Sequence, residues 1–252
     1  MRDKSAVASG YLEQTKNRYQ HNKFPANHFV AMTGDGRKNS IGEEIRDTLQ
    51  LQGNTTQSLE GDIRDNDNRS KLISSHQTAL ICCHGITHLD WFEDQTEASI
   101  KDQIEINLTY TAVICSEFVN ATITNGFKKK IILIGSMAHK AVLNGSAAYC
   151  ASKAGVVMLS RCLAWELAPK GYDVFVINPS NTQDTPMTED TIEGLQRYRN
   201  LSRSEAEGYW GASLPKQRWL QKYDISSLVS FLLSGQSEYL SGAVLDLPGG
   251  QR

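Results

Sequence analysis

Ile131-Ile132-Leu133-Ile134-Gly135 runs directly into Ser136-Met137-Ala138-His139-Lys140-Ala141-Val142-Leu143-Asn144-Gly145-Ser146-Ala147-Ala148-Tyr149-Cys150-Ala151-Ser152-Lys153. The first five residues are an uninterrupted apolar run closed by glycine, the pattern of a strand buried on both faces. The Ala-rich segment around Tyr149 reads as the start of an amphipathic helix extending from about Ala148 to Leu167. A serine thus sits at a strand end, and a tyrosine and a lysine lie one helical turn apart. At i and i+4, Tyr149 and Lys153 share a helix face, where an ammonium favours ionisation of a phenol. The spacing alone is weak, since Tyr19 and Lys23 repeat it in a polar context. Its company distinguishes the second pair: Ser136 thirteen residues before the tyrosine, the strand before that serine, and Asn107 within Ile104-Glu105-Ile106-Asn107.

With these residues the chain resembles the short-chain dehydrogenase/reductase family, whose members carry an Asn, Ser, Tyr, Lys tetrad at about these separations. The resemblance covers roughly Phe29 to Gly250. It implies a single-domain, Rossmann-like, doubly wound α/β fold with a mostly parallel sheet, over residues 28–252, after an N-terminal extension over 1–27. It also implies a dimer or tetramer.

Composition is compatible with that class. With 252 residues and 40% apolar content, the chain can bury one substantial core. A net charge of -2 gives no basic field for nucleic acid. No apolar run is long enough for a membrane helix, and the polar start, Met1-Arg2-Asp3-Lys4-Ser5, lacks a signal core, so a cytoplasmic protein is expected. Lys128-Lys129-Lys130 reads as a solvated turn. The five cysteines, Cys82, Cys83, Cys115, Cys150 and Cys162, read as reduced core thiols. Cys82, Cys83, His84 and His88 are no metal site by spacing, because neighbouring strand residues face opposite ways.

Taken in order, His28 to Thr33 is the first expected strand, and Thr33-Gly34-Asp35-Gly36-Arg37-Lys38-Asn39-Ser40-Ile41-Gly42 the turn into a helix. Such a turn presents backbone N–H groups and a helix N-terminus to a pyrophosphate. Gly34, Gly36, Arg37, Ser40, Ile41 and Gly42 are the candidate cofactor contacts here. The family pattern is matched at both ends, with two residues inserted and Ser40 in place of the middle glycine.

Between this helix and Gly61-Asp62-Ile63-Arg64-Asp65 there is room for one short strand, about Thr56 to Leu59. The resemblance implies a strand, a helix and a second strand in that space. One early strand-helix unit is therefore expected to be missing, with the remaining strand directly beside the first. Asp62 and Ile63 stand where the family makes an adenine contact, and equally where an acid would hold ribose hydroxyls. Arg37, Lys38 and Arg64 favour a 2'-phosphate instead, which leaves NAD(H) and NADP(H) both open.

Asn66 to His76 reads as a helix, and Thr78 to Cys83 as a strand ending in Cys82-Cys83-His84-Gly85. Only Gly85 keeps the family's glycine there; Cys83 and Gly85 are expected near the cofactor, and His84 reads as a lining residue or, by preference, a satisfied surface histidine. Ile100 to Val119 is a long helix, which Asn107 kinks by resemblance. Asp173 to Asn178 is another buried strand. Pro179, Ser180 and Thr185 match the family's nicotinamide-side signature, with serine for glycine and one residue added. Residues 188–222 form the variable substrate-covering segment, whose aromatics and arginines, Arg197, Arg199 and Arg203 among them, could receive a polar or anionic substrate or equally serve as core anchors and solvated charge; the arginines also hint at a carrier-bound or cofactor-like substrate. Asp224 to Leu233 is a helix, and Gly242 to Gly250 the last strand and its turn.

By resemblance, the expected reaction is hydride transfer between a nicotinamide and a small carbonyl or alcohol. Tyr149 would be general acid/base, Lys153 its modulator and ribose contact, Ser136 the carbonyl ligand, and Asn107 the anchor of a relay water. The rival reading is a family-like subunit that has lost catalysis and serves binding or assembly. The departures from the family pattern on the cofactor side motivate it.

Overall fold

The structure, a computed structural model, describes residues 28–122, 128–211, 215–216 and 218–250. The expected N-terminal extension over 1–27, with the Tyr19/Lys23 pair, lies outside them. Among the described residues six strands form one all-parallel sheet: β1 (Phe29–Thr33), β2 (Thr55–Ser58), β3 (Ala79–Cys82), β4 (Lys129–Ile134), β5 (Tyr172–Pro179) and β6 (Val244–Leu247). Their spatial order is β2-β1-β3-β4-β5-β6. The single strand between the glycine turn and Asp62 pairs directly with β1, Phe29 opposite Thr55 and Met32 opposite Ser58, and forms the sheet edge. Its polar sequence Thr-Thr-Gln-Ser suits an edge, where one flank meets no other strand.

The buried runs of β1, β3, β4 and β5 carry apolar side chains to both faces, and each face is covered by helices. On one face, α2 (Asn66–Leu72), α4 (Tyr110–Ala121) and α5 (Ala147–Leu167) contribute Leu72, Ile114, Phe118, Val156 and Leu167 to a core with Leu80, Leu133 and Val176. On the other, α1 (Ile41–Leu51) and α8 (Lys222–Leu233) pack Ile45, Leu49, Val229 and Leu232 against Met32, Ile81 and Phe175. Cys82 belongs to the first core and Cys83 packs on the second, the opposite facing expected of neighbours on a strand.

The Lys128–Lys130 run departs from expectation. Lys129 and Lys130 are the first two residues of β4 and are 2% and 4% exposed; only Lys128 is at the surface. Lys130 Nζ donates to Leu232 O at 2.8 Å, Ser234 O at 2.9 Å and Ser237 Oγ at 2.9 Å. It thereby satisfies carbonyls that the end of α8 leaves without a helical partner, which makes burial of the ammonium tolerable. Among other details, α2 ends at Leu72 rather than His76, and the polar segment after Pro186, whose sequence pattern predicts no elements, begins with α6 (Pro186–Arg199) and α7 (Arg203–Gly211). Cys162 is exposed, not a core thiol.

Winding reverses between β1 and β3, which both neighbour each other and send their connections to opposite sides. Crevices at the carboxyl ends of strands open at such a switch point. There the segments that follow β1 and β3 touch: a Cβ on Gly34 would come within 2.4 Å of Cys83 C and His84 N. With φ at +79°, Gly34 is closed to other residues on both counts.

Candidate active site

A cavity of about 740 Å³ runs along the carboxyl ends of the strands. All the sequence-derived cofactor candidates line it: Gly34, Gly36, Arg37, Ser40, Ile41 and Gly42 at the glycine turn, Asp62 and Ile63 beyond β2, Cys83 and Gly85 after β3, and Pro179, Ser180 and Thr185 after β5. Ser136, Tyr149 and Lys153 line its centre.

The enlarged glycine turn keeps a working helix start. Ser40, in the place of the middle glycine, is the N-cap of α1: its Oγ accepts from Glu43 N at 3.0 Å and donates to Gly34 O at 3.4 Å. The inserted residues are absorbed by Asn39 at φ +61°, with Ser40 N bonded back to Arg37 O at 3.1 Å. The first-turn amides of Ile41 and Gly42 have no carbonyl partner within the helix and border the cavity. Arg37 lines the cavity but is ion-paired with Asp190 of α6 at 3.3 Å, and Asp62 is held by Arg64 at 2.7 Å. Beneath the turn the Asp35 carboxylate is buried, takes a hydrogen bond from Ser58, and leaves its Oδ1 unpartnered.

At the centre, Ser136 is held by its backbone. Its N–H donates to Asn178 Oδ1 at 3.1 Å, and Asn178 Nδ2 donates to Asp246 Oδ1 at 2.9 Å. Asp246 is in turn bound by Lys140 at 2.6 Å and lies 3.0 Å from His139 Nε2. Gly135 leaves room for this arrangement, since a Cβ there would fall 2.0 Å from Asn178 Oδ1. Tyr149 is buried, and burial raises its phenol above the ordinary value, with a hydrogen bond to Ser136 offsetting part of the effect. The phenol also donates to Met187 Sδ at 3.7 Å.

Lys153 Nζ lies 5.8 Å from the centroid of the Tyr149 ring and donates to Ile134 O at 3.2 Å. Burial lowers its pKa to about 8. Burial is the main influence on the Tyr149 phenol, and the Ser136 hydrogen bond the main one opposing it.

Asn107 does not line the cavity. It sits behind Gly85, in a turn widened so that Tyr110 N bonds back to Glu105 O. Widened turns of this kind recur at functional sites. Its Oδ1 accepts from Ile86 N at 2.8 Å, and its Nδ2 donates to Ile86 O at 2.9 Å and Ser152 Oγ at 3.0 Å. Asn107 thus clamps the strand-to-loop segment next to Lys153; a Cβ on Gly85 would meet Asn107 Oδ1 at 3.2 Å and Lys153 Nζ at 3.3 Å.

Sequence reasoning left one participant open and missed two. His84 is satisfied, and of its two readings the structure supports the lining residue over the surface one. Its Nδ1 lies 2.6 Å from Thr33 Oγ1 and its Nε2 3.0 Å from Thr111 Oγ1. Since Thr111 gives its proton to Asn107 O at 2.9 Å, His84 must donate through Nε2 and accept at Nδ1. Burial, then the Lys153 charge, lowers its pKa to about 3, so it is a neutral brace between β1 and α4. Met187 and Asn178 were missed; a thioether and an amide carry no motif until their partners are known.

The chain belongs to the short-chain dehydrogenase/reductase family. The family model that matches it, described as enoyl-(acyl carrier protein) reductase, spans residues 29–252. A 3-oxoacyl-(acyl-carrier-protein) reductase of Rickettsia bellii is 31% identical over 171 residues, 68% of this chain and 66% of that protein. Its counterpart in Rickettsia conorii is 26% identical over 96% of this chain and 93% of its own length. A polyketide ketoreductase structure determined with NADPH superposes with a TM-score of 0.78 at 21% identity, covering 89% of this chain and 97% of the other.

The residues present suit a nicotinamide dinucleotide. The cavity pairs unpartnered helix-start amides with a buried lysine that spends one hydrogen bond on Ile134 O, a donor set for phosphate at one end and hydroxyls at the other.

Proposed function

We propose that this protein is an NAD(P)-dependent oxidoreductase that interconverts a carbonyl and an alcohol, with Tyr149 as the proton donor and acceptor. The observation that carries the reading is the single cavity joining the glycine turn to Ser136, Tyr149 and Lys153. The named relatives are reductases, and the family supports oxidoreduction.

Gly36, Ser40, Ile41 and Gly42 would hold the pyrophosphate, Asp62 and Ile63 the adenosine, and Lys153 and Thr185 the nicotinamide half. The bound nicotinamide supplies or takes the hydride. The protein's share is proton supply and orientation. Ser136 Oγ donates to the carbonyl oxygen and stabilises charge developing there. Tyr149 delivers its phenolic proton to that oxygen as the carbon is reduced, and recovers it in the reverse direction. A phenol kept protonated by burial is already in the form that reduction needs. Asn107 acts at one remove, fixing the Ile86 segment and the wall beside Lys153.

We further propose a homo-oligomer formed through α4 and α5. Met158 and Trp165, seven residues apart on α5, are 57% and 86% exposed. An apolar pair of this size in solvent marks a surface that another chain covers.

The test of the proposal is turnover: purified protein with a panel of ketones and either reduced cofactor should consume the cofactor, and Tyr149→Phe should not.

A further inference from the structure

The reactive end of the cavity carries no formal charge. Among its described lining residues the ionised side chains are Arg37 and Asp62, both on the glycine-turn side, and Lys153 at the centre. Besides the reacting residues, the cavity lining includes the apolar Leu89, Ala138, Ala141, Leu143 and Met187, with Thr87 and Ser146 as uncharged polar groups. The hydroxyls on α6 are already used: Thr188 Oγ1 donates to Thr182 O at 2.6 Å, and Thr191 Oγ1 to Met187 O at 2.7 Å.

The cations that could have reached this end are committed elsewhere. Arg197 donates to Leu89 O at 2.9 Å, on the backbone. Arg199 donates to Tyr198 Oη at 2.9 Å and stacks on Tyr209 at 4.9 Å. Arg203 pairs with Glu189 and Glu207 at 2.8 and 2.7 Å, and Lys140 with Asp246 at 2.6 Å. None of the four lines the cavity. The hint of anionic recognition drawn from these arginines therefore has no support in the site.

A carboxylate or phosphate entering here would shed water with Lys153, one helical turn from Tyr149, as the cation nearest to it and no other cation on the lining around Met187, so its burial would be costly. An apolar group would instead be met by Met187, whose thioether touches the catalytic phenol and whose flexible side chain adapts to irregular shapes. We infer that the substrate is an uncharged ketone with an apolar group beside the reacting carbonyl, any acyl group it carries being masked as an ester or thioester that does not itself react, and that Met187 is the residue meeting that group. This rests on the oxidoreductase reading.

The experiment compares methyl 4-acetylbenzoate with 4-acetylbenzoate, which share the reacting acetyl group and differ by one charge. Reduction and thermal protection of the cofactor-loaded protein are both measured. The ester is expected to exceed the acid by about 100-fold in kcat/KM or in protecting concentration. Met187→Arg, which places a cation beside Tyr149, should narrow that ratio at least about tenfold. Equal or better use of the acid, or an ester that neither reacts nor protects, overturns the substrate class while cofactor binding still upholds the reductase. An unchanged ratio in Met187→Arg overturns the role of Met187. Failure of wild-type protein to bind either cofactor would instead remove the reading beneath the proposal.

Discussion

At the scale of single residues, Tyr149 and Lys153 make separable predictions. Removing the phenolic hydroxyl takes the proton and leaves the cavity wall. Tyr149→Phe should therefore lower kcat by about 10³-fold or more, while cofactor affinity stays within about twofold. A variant keeping a tenth of the activity would assign the proton to another group. Lys153 is held at about 8 by burial, below its ordinary value. Its charge is thus present below pH 8 and lost above. If the ammonium orients the cofactor, kcat/KM for reduction should be level below pH 8 and decline tenfold per unit above it. A profile level to pH 10 would contradict that role.

The same residue carries a stability consequence. Between about pH 8 and its unfolded value, the unfolded chain holds a proton at this lysine that the native state does not, so stability rises with pH in that window. Below pH 8 the full cost of burying the charge remains. Lys153→Met should remove it, raising Tm by about 4 °C at pH 7 without cofactor and by less near pH 10. A lower Tm in the variant would show that the hydrogen bond to Ile134 O outweighs desolvation.

At the scale of elements, β4 and its neighbours show what a sequence can and cannot disclose. The strand-serine-helix junction was legible because periodicity changes within a few residues, from a continuous apolar run to an amphipathic pattern, with the chemical groups placed at the change. The shortened edge was legible because chain length alone forbids a further strand and helix before Asp62. The buried Lys129–Lys130 start of β4 was not. Its partners, Leu232 O, Ser234 O and Ser237 Oγ, lie about a hundred residues onward, and a polarity pattern cannot anticipate a long stem delivering an ammonium to helix-end carbonyls. His84 stayed undecided between lining and surface for the same reason, since Thr33 and Thr111 that satisfy it belong to other elements.

The Lys130 arrangement predicts that Lys130→Ala removes three hydrogen bonds and the counter-charge of the buried Asp173, leaving Ser237 Oγ alone to serve Leu232 O and Ser234 O, costing about 3 kcal/mol and lowering Tm by about 6 °C or more. A change within 2 °C would mean that water satisfies these groups unaided.

At the scale of the whole molecule, the sheet, the cavity and the exposed α5 face make one proposal about assembly and one about function. If α5 lies against its copy, Trp165→Glu with Met158→Glu should convert a dimer or tetramer to a monomer in light scattering. Wild-type protein that is already monomeric would contradict the interface. The departures from the family pattern, namely the inserted residues of the glycine turn, the missing strand-helix unit, the Cys82-Cys83 pair and Ser180, all fall on the cofactor side. Yet Ser40 caps the helix, Gly34 keeps its close approach, and the cavity stays continuous to Lys153. Cofactor binding is thus the step on which an active reductase and a non-catalytic subunit part.

Titration of wild-type protein with NADH and with NADPH, read by nicotinamide fluorescence and thermal shift, tests this directly. A saturable signal with at least one cofactor is expected, with Tm rising by about 5 °C at a hundredfold excess over Kd. No change with either cofactor at millimolar concentration would contradict the account.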